Sequence, residues 1–137
     1  MRGVKLDQET LGLSSHLEKL TRARIKDCFS EDDLIIIVVA PGQMGRALGK
    51  AGINIKRIQN QLGKTIRLVE YNESLEKFIR NFVHPLRPQE VSIDEDCVII
   101  RDINKKTKSL LIGRDGKNLS LLKRAVRRFF SVDIKIE

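Results

Sequence analysis

The chain has 137 residues, a net charge of +8 and 32% charged residues, which is room for one ordinary domain or two small ones. Its longest apolar run, Leu34 to Ala40, has only strand length, and the first twenty residues hold no hydrophobic region behind a basic start, so neither a membrane span nor a signal peptide is expected. The two cysteines, Cys28 and Cys97, form no CxxC and make no zinc-ligand spacing with His16 or His84, so they read as structural thiols of the cytoplasm, with no metal and no cofactor implied.

Asp7 can cap a helix over 8–21, whose Leu13, Leu17 and Leu20 share one face. Residues 23–29 suit a first strand, although Asp27 breaks its pattern. Ser30 to Asp33 is a polar turn, and Leu34 to Ala40 is a central strand ended by Pro41-Gly42. A short helix over 43–48, a glycine loop at 49–52 and a helix over 53–61 follow. That second helix buries Ile55, Ile58 and Leu62, and Gly63 stops it. Residues 64–70 make a last strand.

The order then repeats. Ser74 begins a helix with Leu75, Phe78, Ile79 and Phe82 on its apolar face, ended by Pro85 and Pro88. Val91 and Ile93 mark a strand, Asp94 to Asp96 an acidic turn, and Val98 to Ile100 a second strand. A short helix ends near Ile112, and the glycine loop 113–116 leads into a helix from Lys117 to about Phe129. Leu119, Leu122 and Val126 form its stripe. Val132, Ile134 and Ile136 close the chain as a strand.

One offset of sixty-four relates the copies. It superimposes Leu34-Ile35-Ile36 on Val98-Ile99-Ile100 and Gly49-Lys50-Ala51-Gly52 on Gly113-Arg114-Asp115-Gly116, with an inserted pair shifting the final strand. Domains of 1–72 and 73–137 are therefore expected. Each half is small enough to be marginal alone, which implies that the halves pack in a fixed orientation. Residues 1–72 hold 12 Lys/Arg and 8 Asp/Glu, and residues 73–137 hold 14 and 10. An even basic excess favours a polyanionic partner, while a surface rich in ion pairs is the bland alternative.

A G-x-x-G between two helices lets the backbone approach a phosphate, reaches φ angles cheap only for glycine, and precedes a helix start that favours anions. The alternative for one copy is a tight corner with no ligand; the duplication with a basic residue in each loop favours the phosphate. Arg46, Gly49, Lys50, Ala51, Gly52, Lys56 and Arg57 are the candidates at the first loop. Gly113, Arg114, Asp115, Gly116, Lys117 and Arg124 are those at the second. Asp115 puts a carboxylate in the second loop, and is expected to turn toward the helix start as a cap. The helix from Lys117 carries Lys123, Arg124, Arg127 and Arg128. It is either a solvated face or a positive rim extended by Lys105, Lys106 and Lys108.

The α-β-β-α-α-β order with G-x-x-G between its second and third helices resembles the type II KH domain. The stretch RALGKAGINIKRIQNQLGKTIRLVEY, residues 46–71, is similar to the KH pair of the NusA family, and of its archaeal members in particular. The resemblance covers about residues 7–137. It implies an α+β fold of two tandem type II KH domains, each a three-stranded sheet covered by helices. It also implies single-stranded RNA binding in transcription termination or antitermination, with RNA polymerase as a further partner. In KH recognition the loop clamps the backbone of about four nucleotides, and bases lie on an aliphatic groove. That suits a chain with no Trp and one Tyr. A KH-type ribosome-associated protein is the competing expectation. No nucleophile with a base, metal cluster or P-loop is present in the sequence, so no enzyme is expected, and a monomer is the default.

Overall fold

The computed structural model describes the backbone of residues 8–137 and the side chains of residues 12–137. The helix cap expected at Asp7 lies outside them. The described residues fall into two compact units, one running to Asn72 and one from Glu73 to Glu137.

The first unit begins with α1 (Gln8–Thr21), followed by β1 (Ile25–Glu31) and β2 (Leu34–Val39). Leu17 is fully buried, and Leu13 and Leu20 pack partly buried beside it, as their spacing predicts. β2 is aliphatic throughout because it is the central strand. It pairs antiparallel with β1 and parallel with β3 (Thr65–Glu70). A central strand satisfies its main-chain groups on both edges, so its side chains can be apolar on both faces. Asp27, which breaks the strand pattern, is buried at a register shift in β1. A bulge of this kind re-aims a side chain that strict alternation would place elsewhere. Between β2 and β3 lie α2 (Met44–Leu48) and α3 (Ile53–Leu62). Ile58 is buried, Ile55 and Leu62 pack against the core, and Gly63 ends α3 in the left-handed conformation with its N–H on Gln59 O.

The second unit repeats the order with a shorter first helix. α4 (Leu75–Val83) is capped by the Ser74 hydroxyl, which accepts from Lys77 N–H, and buries Leu75, Phe78, Ile79 and Phe82. β5 (Cys97–Arg101) is central, antiparallel to β4 (Glu90–Asp94) and parallel to β6 (Asp133–Ile136). Val91 is buried, but Ile93, although it shares Val91's parity, is 52% exposed; it stands opposite Val98 at the turn end of the hairpin, where the sheet runs out. α5 (Lys105–Ile112) and α6 (Lys117–Arg127) flank the second loop. α6 buries Leu122 and Val126 of the expected stripe, with Leu121 and Ala125 widening it, while Leu119 is half-buried like its counterpart Ile55.

The single offset holds for the loops and fails at the strands. Leu34 faces Glu31 and Thr65, whereas Cys97 faces Asp94 and Asp133. Cys97 is therefore the counterpart of Leu34, at sixty-three positions, and Val98 is not. Sixty-eight positions separate Thr65 from Asp133 against sixty-four from Gly52 to Gly116, so four residues, not two, are inserted before the last strand. The addition has a packing role. Beyond α6 the chain turns back with Phe129 and Phe130 N–H on Val126 O. Phe129 meets the buried Phe78 ring edge-on at 5.6 Å, and Phe130 lies tilted at 6.1 Å.

Candidate nucleic-acid interface

Each glycine loop is a short 3-10 turn, Lys50–Gly52 or Arg114–Gly116, between two helices. Gly49 sits at φ 73, ψ 175, and Gly113 at φ 78, ψ 174. That region is essentially restricted to glycine. Ala51 (φ 55, ψ 28) and Asp115 (φ 56, ψ 24) are left-handed, as are Gly52 (φ 71, ψ 19) and Gly116 (φ 75, ψ 13). The two loops thus share one backbone conformation, position by position. A left-handed alanine carries a steric penalty, while aspartate tolerates the region better.

The conformation decides which amides face outward. Gly49 N–H donates to Gly45 O and Gly52 N–H to Gly49 O, and Ile53 N–H returns to Lys50 O. Gly113, Gly116 and Lys117 do the same with Ser109, Gly113 and Arg114. Among the described residues the main-chain N–H groups of Lys50, Ala51, Arg114 and Asp115 make no hydrogen bond. The exposed middle of each loop therefore carries two adjacent open donors, flanked by a basic side chain. Successive amides in such a turn form an anion-binding concavity.

An asparagine that the sequence pattern alone does not single out holds each loop shut. Asn54 Nδ2 donates to Arg46 O at 2.9 Å, and Asn118 Nδ2 donates to Leu110 O at 2.8 Å. Both amides lie against the first glycine. A Cβ on Gly49 would sit 2.7 Å from Asn54 Nδ2, and one on Gly113 would sit 2.6 Å from Asn118 Cγ. The glycine is thus required by close approach as well as by φ. A signal for these residues does exist, because G-x-x-G-x-N recurs at the same offset of sixty-four.

The remaining candidates distribute as follows. Lys50, Lys56 and Arg57 are exposed on the loop and the first turn or so of α3, and Arg46 is exposed on α2. Arg114 and Lys117 are exposed at the second loop. Arg124 stands eight residues beyond Gly116 on α6, about 12 Å along the axis, so it is not part of the loop itself. Asp115 does not cap α6: the cap position is Gly116 and no side chain bonds there. The left-handed backbone at Asp115 and Gly116 already closes the turn, and Asp115 stays exposed. Of the other α6 cations, Lys123 and Arg127 pair with Asp133 on β6 at 3.5 and 3.0 Å. Their role is to tie helix to strand. Lys105, Lys106 and Lys108 lie on α5, whose start is capped by Asn104 accepting from Lys106 and Thr107 N–H.

Leu48 and Ile53 flank the first loop at 40% and 49% exposure, and Leu110 and Ile112 precede the second at 46% and 38%. They provide apolar surface beside the open amides. By contrast Phe78 and Phe82 are buried, and Phe129 and Phe130 are committed to Phe78. His16 Nε2 and Gln61 Oε1 lie 3.4 Å apart on the exposed side of α1 and α3. Among the described residues no group of three or more His, Cys, Asp or Glu could hold a metal ion, and no helix is long and apolar enough to cross a membrane.

The model of the KH domain family matches residues 14–94, more than half of the chain. A probable transcription termination protein NusA of Methanococcus vannielii is 35% identical over 119 residues, covering 85% of this chain and 69% of the relative. That of Halobacterium salinarum is 30% identical over 132 residues, covering 95% of each. The crystal structure of APE1850 matches with a TM-score of 0.80 at 27% identity, over 96% of this chain and 100% of the other.

Proposed function

The chain belongs to the KH-domain family and, within it, to the archaeal NusA proteins, and from that membership we propose that it is a non-catalytic single-stranded-RNA-binding factor of transcription termination or antitermination. In this reading it consists of two tandem type II KH domains, 1–72 and 73–137, working as a monomer in the cytoplasm beside RNA polymerase. The antiparallel–parallel order of each sheet, with the loop between the second and third helices, supports the type II assignment.

One observation carries the proposal: two loops with the same backbone conformation each present two unbonded N–H groups beside a cation. A phosphodiester offers the matching acceptors, and charge-assisted hydrogen bonds to it are the strong kind. The loop holds the sugar-phosphate backbone, and the aliphatic side chains beside it receive the bases. Asp115 weakens the second site relative to the first, because its carboxylate repels the same phosphate that Arg114 attracts.

The test reverses the loop charge without touching the glycines. The triple variant Lys50→Asp, Ala51→Asp, Arg114→Asp should keep its thermal unfolding within a few degrees, since all three side chains are exposed. Its affinity for single-stranded RNA should fall by more than about tenfold, because each loop gives up at least one charge-assisted bond to phosphate. Unchanged RNA affinity in the folded variant would refute the proposal.

A further inference from the structure

The first unit has a second basic feature that the loops do not account for. Glu18, Arg22, Ala23, Arg24, Gln43 and Arg46 line one open polar cleft. Arg22 to Arg24 form the link from α1 to β1, and Arg46 lies on α2, three residues before Gly49. The cleft wall is fixed by main-chain bonds: Glu18 Oε2 accepts from Ile25 N–H at 3.1 Å, and Gln43 Oε1 accepts from Arg24 N–H at 3.2 Å. Arg22 N–H closes α1 on Glu18 O at 2.8 Å, with φ at 59.

Three guanidinium groups share this cleft with one carboxylate. Among the described residues none of the three makes an ion pair or side-chain hydrogen bond. This differs from Arg80, Arg101 and Arg127, which pair with Glu76, Glu90 and Asp133. Like charges gathered without partners repel, so the cluster favours an anion with several acceptor oxygens, and the planar arginine fork matches phosphate. The loop does not require Arg46. It uses only the carbonyl at that position, and the second unit supplies the same carbonyl from Leu110. The arginine side chain is thus surplus to the fold of the loop.

We infer that the Arg22–Arg24–Arg46 cleft is a phosphate site for the same RNA strand, holding a phosphate outside the nucleotides clamped at Gly49–Gly52. The inference rests on the RNA-binding reading above and adds to it a site outside the glycine loops. Arg46 precedes Gly49 by about 4.5 Å along the helix axis, which is within reach of a neighbouring nucleotide. Glu18 removes one charge from the cluster and leaves the cleft net positive, which favours a phosphodiester.

The test compares Arg22→Gln/Arg24→Gln with the parent protein, using fluorescence anisotropy on a five-nucleotide and a fifteen-nucleotide single-stranded RNA across a salt series. Circular dichroism on every variant checks that it is folded. The expected result is unchanged affinity for the short RNA and a loss of about fivefold or more for the long one. The salt slope on the long RNA should also fall by roughly 0.7 for each phosphate no longer held. Arg22→Lys/Arg24→Lys should recover part of the loss, because charge returns without the fork. Wild-type affinity and slope on the long RNA would overturn the inference. So would a Gln variant that binds both RNAs normally but no longer binds a poly-glutamate peptide, which would assign the cleft to an acidic protein segment. Failure of the loop reading is separately visible: the triple loop variant would then bind both RNAs like the parent.

Discussion

Gly49 and Asn54 show how closely each loop is specified. A side chain at Gly49 meets two obstacles, the backbone region and the Asn54 amide. Gly49→Ala should therefore destabilise the protein by roughly 2–3 kcal/mol, as residues forced into that region do. Asn54→Ala should cost about 1 kcal/mol for its hydrogen bond to Arg46 O. Because Asn54→Ala also clears space for a Cβ, the double variant should be less destabilised than the two costs combined. Urea unfolding of the four proteins measures that coupling, and strict additivity would refute the contact. The glycines are legible in the sequence because their spacing recurs. Asn54 and Asn118 recur at the same offset, but their role is not legible, because an asparagine on a helix turn looks like any polar residue until its amide is seen against the preceding helix. The same holds for Asp115: sequence places it just before a helix, where a cap is the usual role, and only the left-handed backbone shows that the glycine already ends the turn.

At the scale of elements, helices and strands are readable from period and from caps such as Ser74, and their ends move by a residue or two. The relation between copies is less readable. Aliphatic strand residues resemble one another, so Leu34 can be laid on Val98 when the sheet register pairs it with Cys97. The four added residues before β6 are also hidden, since Phe129 and Phe130 continue the apolar pattern of α6 while in fact folding back on Phe78. β6 is held to α6 by Asp133. The Ile134 N–H, and then the charges of Lys123 and Arg127, hold its carboxyl below the usual aspartate range. A carboxyl with a depressed folded pKa contributes stability above its unfolded value near 3.8, and this is lost as pH falls through the folded value. Asp133→Asn should thus lower the melting temperature at neutral pH and have little effect at about pH 2. An equal loss at both would rule out the carboxylate as the cause. The effect should be modest, because the pairs are exposed and screened.

For the whole molecule, the proposed function, with both units binding RNA, predicts a dependence on RNA length. In KH recognition one loop clamps about four nucleotides. An RNA long enough to reach both gains from effective concentration, and one too short does not. Arg114→Asp alone should remove most of the gain seen between a five-nucleotide and a fifteen-nucleotide RNA, while leaving the short RNA bound at the first loop. A long RNA that binds no better than a short one would contradict two working loops. The duplication itself is the most legible feature of the chain, because charge, glycines and helix stripes repeat together. The arginine cleft is not legible: Arg22, Arg24 and Arg46 are scattered over twenty-five positions and become one site only when the antiparallel β2 carries the chain back to the start of β1 and α2 follows it.

The most direct measurement is a titration of the nitrogen-15-labelled protein with a single-stranded RNA, followed amide by amide in solution. The amides of Lys50, Ala51, Arg114 and Asp115 should move first and furthest, with Gly49, Gly52, Gly113 and Gly116 close behind. Saturable binding that leaves both loops unmoved, with the shifts collected on another surface, would contradict the role given to them.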